Sequence, residues 1–186
     1  AVILSGGLGS RLKPFTEVIP KPLLPIGEKA ILEVQIERLR DNGFSTIYLA
    51  TNYKSDYIES FFGDGSRYGV NLKISRESTP LGTVGPLSLI QDELTEPFLV
   101  MNGDILTLLN YKAFYDYGLS KGFPLTLGIK KEILPFAFGN IYFDGDFVTD
   151  IKEKPNFELY ILAGIYVMTP EIFQYIPEAQ HYDMDK

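Results

Sequence analysis

Apolar positions along this chain recur with two different periods. AVILS (1–5), with four apolar residues in succession before Ser5, reads as a short buried strand. Ile31, Leu32, Val34, Ile36 and Leu39 recur at helical spacing and predict a helix over 29–42, closed by Asn42-Gly43. STIYLAT (45–51) is rich in β-branched residues and reads as a strand. Residues 54–62 read as a helix ended by the GDG of 63–65, and VNLKIS (70–75) alternates as a strand. A helix is expected over 83–92, with Pro86 tolerated in its first turn, and PFLVMNGD (97–104) is a strand ending on Gly-Asp.

The order β-α-β-α-β-α-β predicts an α/β fold with a mostly parallel sheet and helices on both faces. A helix near 110–121 and a strand at 124–130 follow. IYF and FVTDI form a hairpin around Asp144-Gly145-Asp146. YILAGIYVM (160–168) is a further strand, and Pro170 opens a helix over 170–176. With no internal repeat, low-complexity segment or clear linker, residues 1–186 read as a single domain.

Composition narrows the picture. The 186 residues are 45% hydrophobic with a mean hydropathy of +0.03, enough for a proper core. There is no cysteine, hence no disulfide framework and no thiolate metal site. No apolar run approaches the ~18 residues of a membrane span, and no signal peptide opens the chain, so a cytoplasmic location is expected. The net charge of −7, from 17 basic and 24 acidic residues, is opposite to that of a nonspecific nucleic-acid binder. An anionic ligand would have to be held locally. Ala1 has no Met before it and lies inside an apolar strand, and HYDMDK ends without a closing element. The chain is therefore expected to be part of a longer protein.

The densest candidate chemistry is SGGLGSRLKPFTEVIPKPLLP (5–25), in the loop after the first strand. In an open parallel sheet, ligands bind at the carboxyl ends of the strands. Gly6, Gly7 and Gly9 would let backbone N–H groups approach a phosphate. The P-loop pattern G-x-x-x-x-G-K-[ST] is absent, and the dinucleotide fingerprint fails because Leu12 stands where its third glycine would be. Pro20 and Pro22 flank Lys21, and Pro22 is expected to hold Lys21 extended, lowering its cost of meeting an anion. Arg11 offers a forked, permanently charged contact to phosphate oxygens.

The whole string, G-G-x-G-[ST]-R-L-x-P-x-T-x-x-x-P-K-P-L-x-P, resembles the signature of the sugar-phosphate nucleotidyltransferases, which make nucleotide sugars from a nucleoside triphosphate and a sugar 1-phosphate. ILEVQIERLRDNGF, FFGDGSRYGV, ESTPLGTVG, FLVMNGD, IKEKP and LAGIYVMTPE follow in family order, so the resemblance covers nearly the whole chain. It implies a Rossmann-like three-layer α/β/α sandwich with a mostly parallel mixed sheet, of the nucleotide-diphospho-sugar transferase type. It also implies attack of a sugar-phosphate oxygen on the α-phosphorus, with pyrophosphate leaving and Mg²⁺ bridging phosphate oxygens.

By this resemblance, Leu4, Gly6, Gly7, Gly9, Ser10, Glu77, Gly82 and Thr83 would bind the nucleotide. Arg11 would hold the departing phosphates, and Lys21 would offset charge at the α-phosphate. Asp104 would be a metal ligand, although an isolated Gly-Asp otherwise reads as a turn or N-cap residue. The family's second metal carboxylate, in a Trp-x-Asp-like segment, has no counterpart in this chain. Gly139, Glu153, Lys154 and Leu162 fall where relatives contact the sugar phosphate. His181 reads as an ordinary surface residue. Asp144-Gly145-Asp146 matches the D-x-D metal motif of many glycosyltransferases, but between IYF and FVT it reads as a hairpin turn.

Glu77 stands where several relatives place a glutamine against a pyrimidine. A carboxylate only accepts hydrogen bonds and could take both N1–H and the amino group of guanine, which favours GTP and leaves cytosine's amino group open, while L-G-T-x-G (81–85) resembles the mannose-1-phosphate guanylyltransferase-like branch more than the thymidylyl branch. Leu162 replaces a frequent asparagine and Val84 and Pro86 depart from GTAGAL, which leaves the sugar open. The alternatives are a non-catalytic regulatory subunit of the same fold, a metal-dependent glycosyltransferase, or cytidylyl or uridylyl transfer to another phosphorylated acceptor. The sequence leaves a homo-oligomer open.

Overall fold

The computed structural model of the chain describes residues 1–7 and 9–186. They fall into two compact units, Ala1–Leu127 with Gly164–Lys186, and Gly128–Ala163. In the first unit the strands are β1 (Val2–Leu4), β4 (Thr46–Thr51), β5 (Asn71–Arg76) and β6 (Phe98–Asn102), all parallel, and the end of β10 (Asn156–Met168) runs antiparallel to β6. With β7 (Leu125–Pro135) the sheet order is β5-β4-β1-β6-β10-β7. The mostly parallel mixed sheet expected from the sequence is present.

Strand alternation explains why this sheet is covered on both sides. Ile3, Ile47, Leu49, Leu99, Met101, Ile165 and Val167 point to one face, where they pack with Leu32, Ile36 and Leu39 of α2 (Ile31–Asp41) and Ile58 and Phe62 of α3 (Ser55–Phe62). Tyr111 at the start of α4 (Tyr111–Ser120) joins the same cluster. The intervening residues Val2, Tyr48, Phe98, Val100, Tyr166 and Met168 point to the other face and meet Val84, Leu87, Ile90 and Ile172. Side chains alternate with period two, so a strand that is apolar at every position must have two apolar partners.

The second face is covered by 3₁₀ turns, where the sequence predicted α-helices. Residues 83–92 become a 3₁₀ stretch, Gly85–Glu93, interrupted at Ile90 (φ −126°, ψ 16°). Residues 170–176 become a 3₁₀ helix, Pro170–Gln174. Pro86 and Pro170 each stand in the first turn and donate no N–H, and the non-helical backbone at Ile90 divides the first stretch into two short pieces. Two strands run longer than predicted, to Pro135 for β7 and from Asn156 for β10. The predicted helix over 29–42 starts only at Ile31, because Lys29–Ala30 (β3) pairs with Pro25–Ile26 (β2) in a small hairpin. The buried stripe of α2 is Ile31, Leu32, Gln35, Ile36 and Leu39. Val34, expected on that stripe, is only half-buried, and Gln35 takes the interior place.

In the second unit β8 (Asn140–Asp144) pairs antiparallel with β9 (Phe147–Lys152). Gly145, at φ +55°, and Asp146 make the turn, so Asp144-Gly145-Asp146 closes a hairpin as the Asp-Gly pair leads one to expect. No helix among the described residues is long and apolar enough to cross a membrane.

Leu99 lies on β6 with no exposed surface. Leu99→Ala should lower the unfolding free energy by roughly 2–5 kcal/mol in urea titrations. Val18→Ser, at a 70% exposed site, should stay within about 0.5 kcal/mol of the parent.

Candidate active site

The strand order fixes where a ligand can enter. From β1 the chain steps outward through β4 to β5, and then returns to the opposite side of β1 as β6. The loops leaving β1 and β6 therefore diverge at their carboxyl ends, and a crevice opens between them. A cleft of about 500 Å³ lies there. Leu4, Gly6, Gly7, Gly9, Ser10, Arg11, Lys21, Glu77, Gly82, Thr83 and Asp104 all line it. These are all of the residues expected for the nucleotide, the phosphates and the metal.

The glycine loop is folded back on its own continuation. Gly9 adopts φ +61°, a conformation that glycine reaches without steric cost. A Cβ there would lie 2.8 Å from Thr16 Cγ2. The buried Thr16 hydroxyl donates to Gly9 O at 3.0 Å, and Leu12 N–H donates to the same oxygen at 2.9 Å. Beyond a 3₁₀ turn, Ser10–Leu12, the short helix α1 (Phe15–Val18) is tied down at its end by Lys54. Its ammonium donates to Glu17 O and to Val18 O at 2.8 Å. Arg11 is exposed and forms no ion pair among the described residues.

Lys21 differs from the extended residue that the sequence predicted. It opens a 3₁₀ turn, Lys21–Leu23, and its carbonyl accepts Leu24 N–H at 3.1 Å. Pro20 is the extended residue (φ −60°, ψ 143°). Pro22 enters the first turn, where a missing N–H costs nothing. Lys21 Nζ forms an ion pair with Asp104 Oδ2, joining the loops after β1 and β6. The lysine side chain is 23% exposed and the aspartate 36%.

At the far wall Glu77 is half-buried rather than a free surface carboxylate. Its Oε2 accepts Leu81 N–H at 2.9 Å. Burial raises its pKa, outweighing the Leu81 N–H and the Asn52 side chain, which both favour the charged form. Gly6 makes room for this carboxylate, because a Cβ at Gly6 would collide with Glu77 Oε1. Gly82, at φ +79°, faces the chain as well, for a Cβ there would lie 2.7 Å from Tyr182 O and 2.8 Å from Asp183 Oδ1. Thr83 N–H donates to Asp183 Oδ1 at 2.9 Å, and its Oγ1 accepts Met184 N–H at 2.7 Å. Much of the hydrogen-bonding capacity of Thr83 is thus spent on the segment after Ile176.

Gly139, Glu153, Lys154 and Leu162 belong to the second unit. A Cβ at Gly139 would lie 3.1 Å from Glu153 Oε2. Lys154 adopts φ +46° although Pro155 follows it, and Leu162 is exposed.

The sequence reading missed several cleft residues. Ser5 is buried in the wall with its hydroxyl unpaired among the described residues. Asn102 ends β6, and Gly103 and Asn52 directly follow β6 and β4 at the carboxyl ends that line the cleft, and that position was the available signal. His181 is exposed, as expected of a surface residue, and it also lines the cleft beside Asp183, its Nε2 3.9 Å from Asp183 Oδ2. Only the return of the chain across Leu81–Gly85 brings it there.

The family model described as Nucleotidyl transferase matches residues 1–186. The chain is 35% identical over 185 residues to the probable mannose-1-phosphate guanylyltransferase 1 of Oryza sativa subsp. japonica, covering 95% of this chain and 51% of the relative. It is 34% identical over 204 residues to the UTP–glucose-1-phosphate uridylyltransferase of Synechocystis sp., covering 99% and 52%. The chain thus spans about half the length of the curated relatives it matches. Among solved structures, HddC from Yersinia pseudotuberculosis superposes with a TM-score of 0.74 at 32% identity, covering 96% of this chain and 80% of that one. HddC complexed with GMP-PN gives the same score at 30% identity, covering 98% and 81%.

The raised pKa of Glu77 has a stability consequence of definite sign. A group whose folded-state pKa lies above its unfolded value contributes stability at low pH that is lost as pH rises through the folded pKa. The unfolding free energy of the parent minus that of Glu77→Gln should therefore fall as pH rises from about 4 to 8. Urea titrations across that range measure it, and a flat difference would contradict the burial of the charge.

Proposed function

The chain belongs to the nucleotidyl transferase family, and from that premise we propose that the protein joins a nucleoside triphosphate to a sugar 1-phosphate, giving a nucleotide sugar and pyrophosphate. The observation that carries this reading is the convergence of the glycine loop, Lys21, Asp104 and Glu77 on one cleft at the strand-order reversal. An anionic oxygen of the sugar phosphate forms a bond to the α-phosphorus. The bond from that phosphorus to the bridging oxygen breaks, and pyrophosphate leaves with the electron pair. The nucleophile is already ionised, so no side chain has to remove a proton.

Positioning and charge neutralisation are then the work of the protein. Lys21 offsets charge growing on the α-phosphoryl oxygens, and Arg11 holds the phosphates that depart. Asp104 offers hard oxygen donors, and the Lys21 ammonium already stands against them as a cation would. Mg²⁺ is commonly held by one or two carboxylates together with substrate phosphates. Asp104 therefore fits the ion and would hold it. Bound there, Mg²⁺ would neutralise phosphate charge. No cluster of three or more metal-ligating side chains occurs among the described residues, and this role requires none. For the sugar phosphate the reading rests on the sequence resemblance, which assigns Gly139, Glu153, Lys154 and Leu162.

GTP is the proposed nucleotide. Glu77 is an acceptor without a donor of its own when ionised, matched to the adjacent N1–H and amino group of guanine. The HddC complex with GMP-PN and the guanylyltransferase relatives support the same choice. The Synechocystis relative makes UTP the competitor to include.

The test follows pyrophosphate release by the full-length protein with Mg²⁺, pairing each of the four NTPs with a panel of sugar 1-phosphates. GTP should give the highest kcat/KM with one sugar phosphate. Lys21→Ala should lower kcat about 10²–10³-fold. Release equally fast with UTP would overturn the guanine assignment, and no release with any pair would overturn the reaction.

A further inference from the structure

Gln35 is the polar member of the apolar stripe of α2, lying between Leu32 and Leu39 with no exposed surface. Its amide serves one segment. Nε2 donates to Asn102 O at 2.9 Å and to Ile105 O at 2.8 Å. An amide nitrogen carries two N–H bonds, and both are used. The two carbonyls flank Gly103-Asp104. A leucine would fill the stripe as well and would avoid burying an amide, but it would leave Ile105 O without this donor.

The same turn is pinned from β1. Gly103 N–H donates to Leu4 O at 2.8 Å, and Ile105 N–H closes the turn onto Asn102 O at 3.3 Å. A Cβ at Gly103 would lie 2.7 Å from Ser5 Oγ, so the chain leaving β6 is pressed against the chain leaving β1. Asp104 stands at the apex of this turn. Its carboxylate reaches the cleft and pairs with Lys21. Burying Gln35 locks the turn to α2, and through the turn it fixes where the carboxylate points.

We propose that Gln35 is a positioning residue for Asp104, holding the Asn102–Ile105 turn in the shape that presents this carboxylate to a divalent cation and the phosphates of a nucleotide. This inference rests on the nucleotidyl-transfer reading above. Residues that orient metal ligands through hydrogen bonds typically carry 10–100-fold in metal affinity or activity. Gln35 acts on the backbone on either side of Gly103-Asp104, not on the carboxylate itself.

The experiment compares the full-length protein with Gln35→Leu and Gln35→Met, both apolar and without a donor, the methionine being an unbranched side chain of similar length. Mn²⁺ binding in the presence of GTP is followed by electron paramagnetic resonance, and kcat and KM for GTP by pyrophosphate release. Both variants should weaken Mn²⁺ binding and lower kcat by about 10–100-fold. Affinity for metal-free GTP should change less than threefold. A fall in melting temperature with Mn²⁺ affinity and kcat unchanged would make Gln35 merely structural and overturn the proposal. If Q35L fails to fold, the same readouts on Q35M decide in the same way. A parent protein that neither binds Mn²⁺ with GTP nor releases pyrophosphate overturns the nucleotidyl-transfer reading itself, an outcome visible before any variant is made.

Discussion

Much of this structure depends on the burial of β1 from every side. Val2 and Ile3 have no exposed surface, and parallel strands flank β1 on both edges. Parallel neighbours require crossover connections, and a strand apolar on both faces requires two covering layers. Once β1 is central, with β4 and β5 to one side and β6 to the other, the chains leaving β1 and β6 have to part. The cleft is the space they leave. Its floor is set by the hydrophobic core, and its chemistry is carried by loops attached to that rigid floor.

Charge in the cleft is arranged to be exchanged. Lys21 and Asp104 neutralise each other across two loops, so neither is an isolated charge at a partly desolvated position. A metal and a phosphate arriving together would offer each a new partner of the appropriate sign. Glu77 is different, because burial works against its charged form and no cation stands among the causes of its shifted pKa. A ligand that donates two hydrogen bonds to that carboxylate would relieve the cost. Under the proposed function, base choice would fall to Glu77 and phosphate handling to Lys21 and Asp104, each under its own electrostatic condition.

Several glycines prove to be determined by the protein's own packing. Gly6 yields space to Glu77, Gly9 to Thr16, and Gly82 to the returning chain at Tyr182 and Asp183. A sequence reading assigns such glycines to the ligand, since only local flexibility is visible there. Gly7 meets nothing within 4 Å, and it alone of these four keeps open space. The 3₁₀ turn at Lys21 was hidden for a similar reason. The effect of Pro22 on the residue before it is a local preference, and Lys21 enters the turn all the same.

By itself the sequence determined the strands of the main sheet, their order along the chain and most of the cleft. Apolar alternation and strand-end loops are local patterns, and the parallel order forces those loops to one edge of the sheet. It also carried the family signature from Gly6 to Pro25. Tertiary structure alone decided that Gln35 is interior and Val34 is not, that Gly6 must accommodate Glu77, and that His181 and Asp183 reach the cleft. Those outcomes depend on which side chains meet across dozens of residues. Such meetings are set by the packing of whole layers, for which no short window of sequence holds a signal.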